Sequence, residues 1–286
     1  MAFVHSVLAN IASTWVSLFS IAAMMWGIER LFPKHKVSTA SQLRSLVFWL
    51  FAGLASAIAA SLYEVLDRSL NPRPLFIIPL NSWFGHPWIH WSMYLVAPLL
   101  GVLLYDFFGY WLHRAQHKWF WRIHAVHHSI EELSGINSYF HWTEPFFRIV
   151  FISLPAAYLV GIDGLESVFV IELLVKVQGY YLHTPTNLHL GPVVRRVIAD
   201  NRFHRVHHSV DPRHFNTNFA AGTTIWDQLF GTAYFPAEDE WPDVGLLGEP
   251  SARTLFEYLW GPFRRLEPNR PSVPANLPKE EGVAIS

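Results

Sequence analysis

The 286-residue chain contains no cysteine. Disulfides, iron–sulfur clusters, thiolate zinc sites and a cysteine nucleophile are therefore excluded together. Charge is also scarce: Asp, Glu, Lys and Arg make up 15% of the residues, against about 25% in ordinary soluble domains. A net charge of −1 supplies no field to gather nucleic acid, so no nucleic-acid partner is expected. There is no GxGxxG string and no flavin signature. Two things are abundant instead. Hydrophobic residues reach 51%, and histidine reaches 16 residues against 21 Lys plus Arg. Histidine is the commonest metal ligand, so its distribution along the chain matters.

The apolar residues fall in blocks. The first runs from about Val7 to Phe32, the second from Leu43 to Leu66, and the third from Trp88 to Leu112. Each is long enough to cross a bilayer core, which takes about 20 apolar residues. The first reads as a span rather than a signal peptide, because no basic segment precedes it and its apolar stretch is too long. The second is rich in Gly, Ala and Ser, which permits close helix–helix approach in lipid. Pro72, Pro74, Pro79 and Pro87 mark a non-helical loop after it. Two shorter blocks, Phe146–Val160 and Leu165–Leu182, read as a helical hairpin around the turn Gly161-Ile162-Asp163-Gly164.

The expected fold is all-α: a polytopic membrane protein with about four or five transmembrane or re-entrant helices and a cytosolic, histidine-rich helical cap. Its divisions are N-terminal spans and an interfacial loop over 1–90, a catalytic region over 91–235, and a cytosolic extension with a partly disordered end over 236–286. Arg30, Lys34, Lys36 and Arg44 lie between the first two spans, against Arg68 and Arg73 in the next loop. The first loop is thus expected to be cytoplasmic. Every histidine cluster then falls on the cytoplasmic side of a multi-pass protein.

Three clusters stand out. They are His113-x-x-x-His117, His124-x-x-His127-His128 and His204-x-x-His207-His208, with His183 between the last two. Helical positions three or four apart share a face, so each cluster is expected to project its imidazoles toward one point. Nine imidazoles are too many for one tetrahedral ion. They suit two metals, and imidazole selects Zn, Cu, Fe or Ni over Mg and Ca. His141 and His189 are further candidates as ligands or as supports for ligands. His5, His35, His86, His90 and His214 read as incidental interfacial hydrogen-bonding residues.

Three other residues are candidate supports around the metals. Asp106 sits two turns before His113 and is expected to accept an imidazole N–H, or else to pair with Arg114 or Arg122. Glu144 reads either as a similar partner or as a cap before Pro145. Asn216 could orient a ligand or shape a turn. Trp119-Phe120-Trp121 reads as an interfacial aromatic belt.

The histidine series resembles that of the integral-membrane fatty acid hydroxylase/sterol desaturase superfamily. Asp106-Phe-Phe-Gly-Tyr-Trp-Leu-His113-Arg114, Phe203-His-Arg-Val-His-His208 and Trp226-Asp-Gln-Leu-Phe-Gly-Thr232 strengthen the likeness, and Tyr181-Leu-His-Thr184 is similar to an element of its alkylglycerol monooxygenase-like branch. The sequence departs from the family pattern at Tyr139–Glu144, where an arginine and a proline are missing. The resemblance implies two non-haem iron ions that activate O2 and a lipid substrate, such as a fatty acyl, sterol or ether or amino lipid, arriving from the bilayer. It also implies hydroxylation or desaturation, with electrons from a separate reductase, ferredoxin or cytochrome. Two other readings stay open from the residues: a zinc-dependent membrane hydrolase or isomerase, and a non-catalytic metal- or haem-binding membrane protein.

Overall fold

The computed structural model describes residues 2–83, 85–86, 92–163 and 168–264. His90 and the chain end expected to be disordered lie outside them. The described residues are mostly helical. Three helices are long and apolar enough to cross a membrane: Phe3–Leu31, Thr39–Leu70 and Tyr94–Lys118. They correspond to α1 (Ala2–Leu31), α2 (Thr39–Leu70) and α4 (Met93–Lys118). Large apolar side chains such as Val16, Trp26, Leu43 and Leu95 are exposed on them, a surface suited to lipid rather than water.

Helix α2 starts where the Ser38 side chain accepts the Ser41 N–H, and stops where Asn71 turns left-handed at φ 43°. From Ala52 onward its buried residues are small: Ala52, Gly53, Ala55, Ala57, Ala59 and Ser61. A Cβ on Gly53 would come within 2.9 Å of the Trp15 indole, so the missing side chain lets α1 lie close against α2.

Both arms of the expected shorter hairpin are helical, and each packs against α4. The first arm is α6 (Glu144–Arg148), a π-helical turn over Ile149–Ser153 and α7 (Leu154–Leu159). The second arm is α8 (Val168–Leu182). The proline-rich loop departs from the all-α expectation. Phe76–Ile78 (β1) pairs in parallel with Val160–Ile162 (β2), Phe76 opposite Val160. A four-residue helix, α3 (Leu80–Trp83), follows β1. Of the expected turn Gly161-Ile162-Asp163-Gly164, the first two residues are therefore strand, because pairing satisfies the backbone groups of two chain segments at one end of the bundle, and Gly164 lies outside the described residues.

The other end holds the histidines. Here the α1–α2 loop, the last turn of α4, α5 (Trp121–His128), the end of α8 and α9 (Asn201–His207) converge. The loop is fastened by Lys34 N–H donating to the Pro185 carbonyl at 2.8 Å and Thr186 Oγ1 to the Phe32 carbonyl at 2.7 Å. The buried Glu29 accepts the Gly135 N–H at 2.7 Å and the Gln42 amide at 3.1 Å. Asn137 donates to Ser41 Oγ at 2.8 Å and also bonds Ser45. These bonds lock the 130–139 loop onto α1 and α2. Residues 236–264 fold back on the same end. Helix α11 (Leu255–Arg264) inserts Tyr258 against Phe48 of α2, with ring centroids 4.7 Å apart, and Val244 and Ala252 join that cluster.

Candidate metal centre

The nine clustered histidines converge as two groups. His113, His117, His124, His128 and His207 form one, and His127, His183, His204 and His208 form the other. Within each group one nitrogen per ring lies within 4.8 Å of all the rest. This departs from the expectation that each cluster aims at one point. In α5, His124 and His128 enter the first group and His127 the second. In α9 and its C-cap, His204 and His208 enter the second and His207 the first. Consecutive helical residues diverge by about 100°, so His127 and His128 cannot face one ion, whereas residues four apart can. The two helices thus exchange one imidazole each. Helix α4 adds His113 and His117 to the first group, and the residue after α8, His183, completes the second.

The rings are aimed by their outer nitrogens. Nδ1–H of His113 donates to the Phe219 carbonyl at 2.6 Å, that of His127 to Tyr139 at 3.2 Å, that of His183 to Gly179 at 2.6 Å and that of His207 to Thr217 at 2.7 Å. These carbonyl partners assign the hydrogen to Nδ1 and leave Nε2 a bare lone pair. In the His127–His183 pair both Nε2 atoms are then lone pairs, 3.1 Å apart. His207 Nε2 is buried without a partner among the described residues. Burial also holds the pKa of His127, His128, His204 and His208 well below the usual imidazole value, and that of His207 down to about 3. Neutral rings with facing lone pairs repel unless a cation lies between them. The donor set therefore fits two metal ions held by nitrogen.

The supporting residues only partly match expectation. Glu144 is buried, 3.5 Å from His124 Nδ1, and its other oxygen accepts from Gln116. Among the described residues Asp106 bonds no imidazole and no arginine. Its carboxylate accepts the backbone N–H groups of Ala221, Gly222 and Thr223 at 3.0, 2.7 and 2.8 Å, and the Thr223 hydroxyl at 2.9 Å. Those unpaired loop amides are stronger competitors for the acid than a ring already bonded to Phe219.

Asp227, met in the sequence only within the Trp226–Thr232 string, accepts Phe219 N–H at 2.8 Å and Ala220 N–H at 2.9 Å. Two buried acids thus clamp the strip 219–223 that carries the carbonyl partner of His113. Asn216 is exposed at φ 62° and shapes a turn. Asn218, at φ 56°, is the buried brace, with its amide donating to the Phe203 and Tyr234 carbonyls at 2.8 Å each.

His141 and His189 lie outside both groups. His141 Nδ1 meets Thr143 Oγ1 at 2.8 Å and its Nε2 faces the Leu259 carbonyl at 3.3 Å, while His189 is exposed. Of the residues read as incidental, His214 is buried and bonded to Glu240 at 3.0 Å. Trp121 is not part of an interfacial belt. It is buried beside His117 and His128, at ring distances of 5.2 and 5.3 Å. Phe140, given no role in the sequence, stacks on His127 at 4.0 Å.

Residues 98–232, which hold all nine histidines and both clamping acids, match the profile of the fatty acid hydroxylase family. Residues 98–232 are a fatty acid hydroxylase domain. An ornithine lipid hydroxylase from Rhizobium tropici is 32% identical over 206 residues, covering 71% of this chain and 60% of that protein. Human alkylglycerol monooxygenase is 30% identical over 206 residues, covering 68% and 42%, and the Danio rerio enzyme is 31% identical over 226, covering 75% and 48%. The hydroxylase domain and its flanks thus span less than two thirds of each of these relatives. No solved structure matches the chain.

Proposed function

We propose that the protein is a multi-pass membrane enzyme that uses two iron ions and O2 to hydroxylate a lipid, with its histidine site at the cytoplasmic face. The observation that carries this reading is the division of nine imidazoles, seven buried and two half-buried, into groups of five and four, with no carboxylate in either group. His113, His117, His124, His128 and His207 would hold one ion, and His127, His183, His204 and His208 the other. Iron bound there would supply the O2 chemistry needed to break an unactivated C–H bond, which no side chain can do.

The chain's own residues supply the rest. Carbonyls of Phe219, Tyr139, Gly179 and Thr217 fix the ring orientations. Trp121 and Phe140 keep the imidazole edges dry. The convergence of the site at one end of α1, α2 and α4 puts it where a lipid moving in the bilayer can reach. Two of the relatives are named for acting on an ornithine lipid and on alkylglycerols, which favours a lipid with an open acyl or alkyl chain. Desaturation begins with the same hydrogen abstraction and is the alternative outcome. Electrons would come from a separate reductase, ferredoxin or cytochrome, since the chain has no cysteine for an iron–sulfur centre.

The test is lipid analysis of cells expressing the wild type or His124→Ala under 18O2. A lipid that gains one labelled oxygen only in wild-type cells is expected. Loss of two hydrogens without label would assign desaturation. A product that also forms in the variant, or forms without O2, would overturn the reading and favour zinc hydrolysis or isomerisation.

A further inference from the structure

Among the described residues, Arg148 is the one strongly basic side chain set over the ring that shields the second metal group. It ends α6, directly before the π-helical turn Ile149–Ser153. Its guanidinium lies 5.6 Å from the centroid of Phe140, the ring that stacks on His127 at 4.0 Å. Nη1 donates to the Tyr105 hydroxyl of α4 at 2.7 Å. Phe147, Phe151, Phe107 and Leu104 pack around this junction of α4 and α6. Among the described residues Arg148 forms no ion pair. The nearest candidate, Glu144, is one helical turn away and engaged with Gln116 and His124.

An arginine presents five donors, and the Tyr105 oxygen takes one. An arginine among apolar helices is costly unless an anion meets it, and such a residue marks a function by default. Arg148, Tyr105 and Phe140 are all only half-buried, so the free donors are open to a ligand. A π-turn, a feature that often occurs at functional sites, follows this arginine directly.

Resting on the lipid-oxidising reading above, we propose that Arg148 is the headgroup anchor: it binds an anionic oxygen group of the lipid substrate, a carboxylate or a phosphate, and so fixes which carbon lies at the metals. Guanidinium donors meet such groups two at a time. Tyr105 positions the guanidinium.

The test is binding, which needs no turnover. Protein in uncharged maltoside micelles at pH 8 is titrated with 16-doxylstearic acid, with its methyl ester and with spin-labelled phosphatidic acid, and the immobilised fraction is read by electron paramagnetic resonance. Wild type is expected to prefer at least one acid over the ester by about tenfold, the worth of a charge-assisted bond, and the arm that wins identifies carboxylate or phosphate. Arg148→Gln should erase the preference, Arg148→Lys should keep part of it, and Tyr105→Phe, which removes the tether but not the charge, should keep most. Equal binding of acids and ester by the wild type overturns the proposal even if Arg148→Gln fails to fold, as does a preference that survives in that variant. A protein that prefers the acid but adds no labelled oxygen to any lipid would fail the functional reading instead.

Discussion

His113 is aimed by Phe219: its Nδ1–H donates to the Phe219 carbonyl at 2.6 Å, and the Phe219 N–H is in turn held by Asp227 at 2.8 Å. The strip continues to Thr223 under Asp106. Neither acid bonds an imidazole of the two groups, yet both set where one ring points. Partners of this kind are worth about 10–100-fold in metal affinity. Asp227→Asn and Asp106→Asn should each weaken metal retention by roughly that factor while leaving all nine imidazoles in place, as measured by competition with a chelator. Unchanged retention in both variants would mean that the strip is held by packing alone.

Exchange of one imidazole between α5 and α9 makes the two groups separable. His183→Ala removes a ligand from the group of four only, and His117→Ala from the group of five only. Each variant should bind one ion tightly and lose the other, so metal analysis after gel filtration should fall from two per chain to one. Loss of both ions from either variant would show that the groups do not fill independently.

Acid should strip the site and destabilise the fold. The buried His127, His128, His204, His207 and His208 are held below their ordinary pKa, His207 to about 3. Between the unfolded value of about 6.5 and these lower folded values the unfolded chain binds more protons, so stability rises with pH across that window. The stabilisation is complete above about pH 6.5 and is lost as pH falls toward 3. Thermal unfolding of chelator-treated protein should therefore shift downward from pH 7 to pH 5. A Tm that is flat over this range would contradict neutral buried rings.

The returning helix α11 is tied to the site through Tyr258, whose hydroxyl donates to the Phe140 carbonyl at 2.8 Å. Tyr258→Phe deletes one buried hydrogen bond and leaves that carbonyl unpaired, a loss of about 1 kcal/mol. A fall in Tm of roughly 2–4 °C is expected, measured by scanning calorimetry in micelles. No change would place the carbonyl in contact with water.

What was legible in the sequence was whatever depends on local spacing. The three long apolar blocks emerged as α1, α2 and α4, and the gathering of nine histidines followed from their intervals. Assignment of His127 away from His128 was less visible, although the 100° step between neighbouring helical residues carries that signal. Tertiary choices were not legible. Asp106 and His113 share a helix face, but the acid's partners lie 115 or more residues on, in a strip whose amides nothing else satisfies. Asn216 and Asn218 both adopt positive φ, and only burial distinguishes the brace from the turn. Trp121, expected in an interfacial belt, and Phe140 show their roles only when the elements that bring them against His128 and His127 are assembled.

Metal content of the purified wild-type protein is the most direct measurement. Anaerobic purification with iron present, followed by elemental analysis and X-ray absorption at the iron edge, should give two irons per chain with a shell of nitrogen and light oxygen donors and no sulfur. One ion per chain, or zinc that iron cannot replace, would contradict the two-iron site on which the proposed lipid oxidation depends.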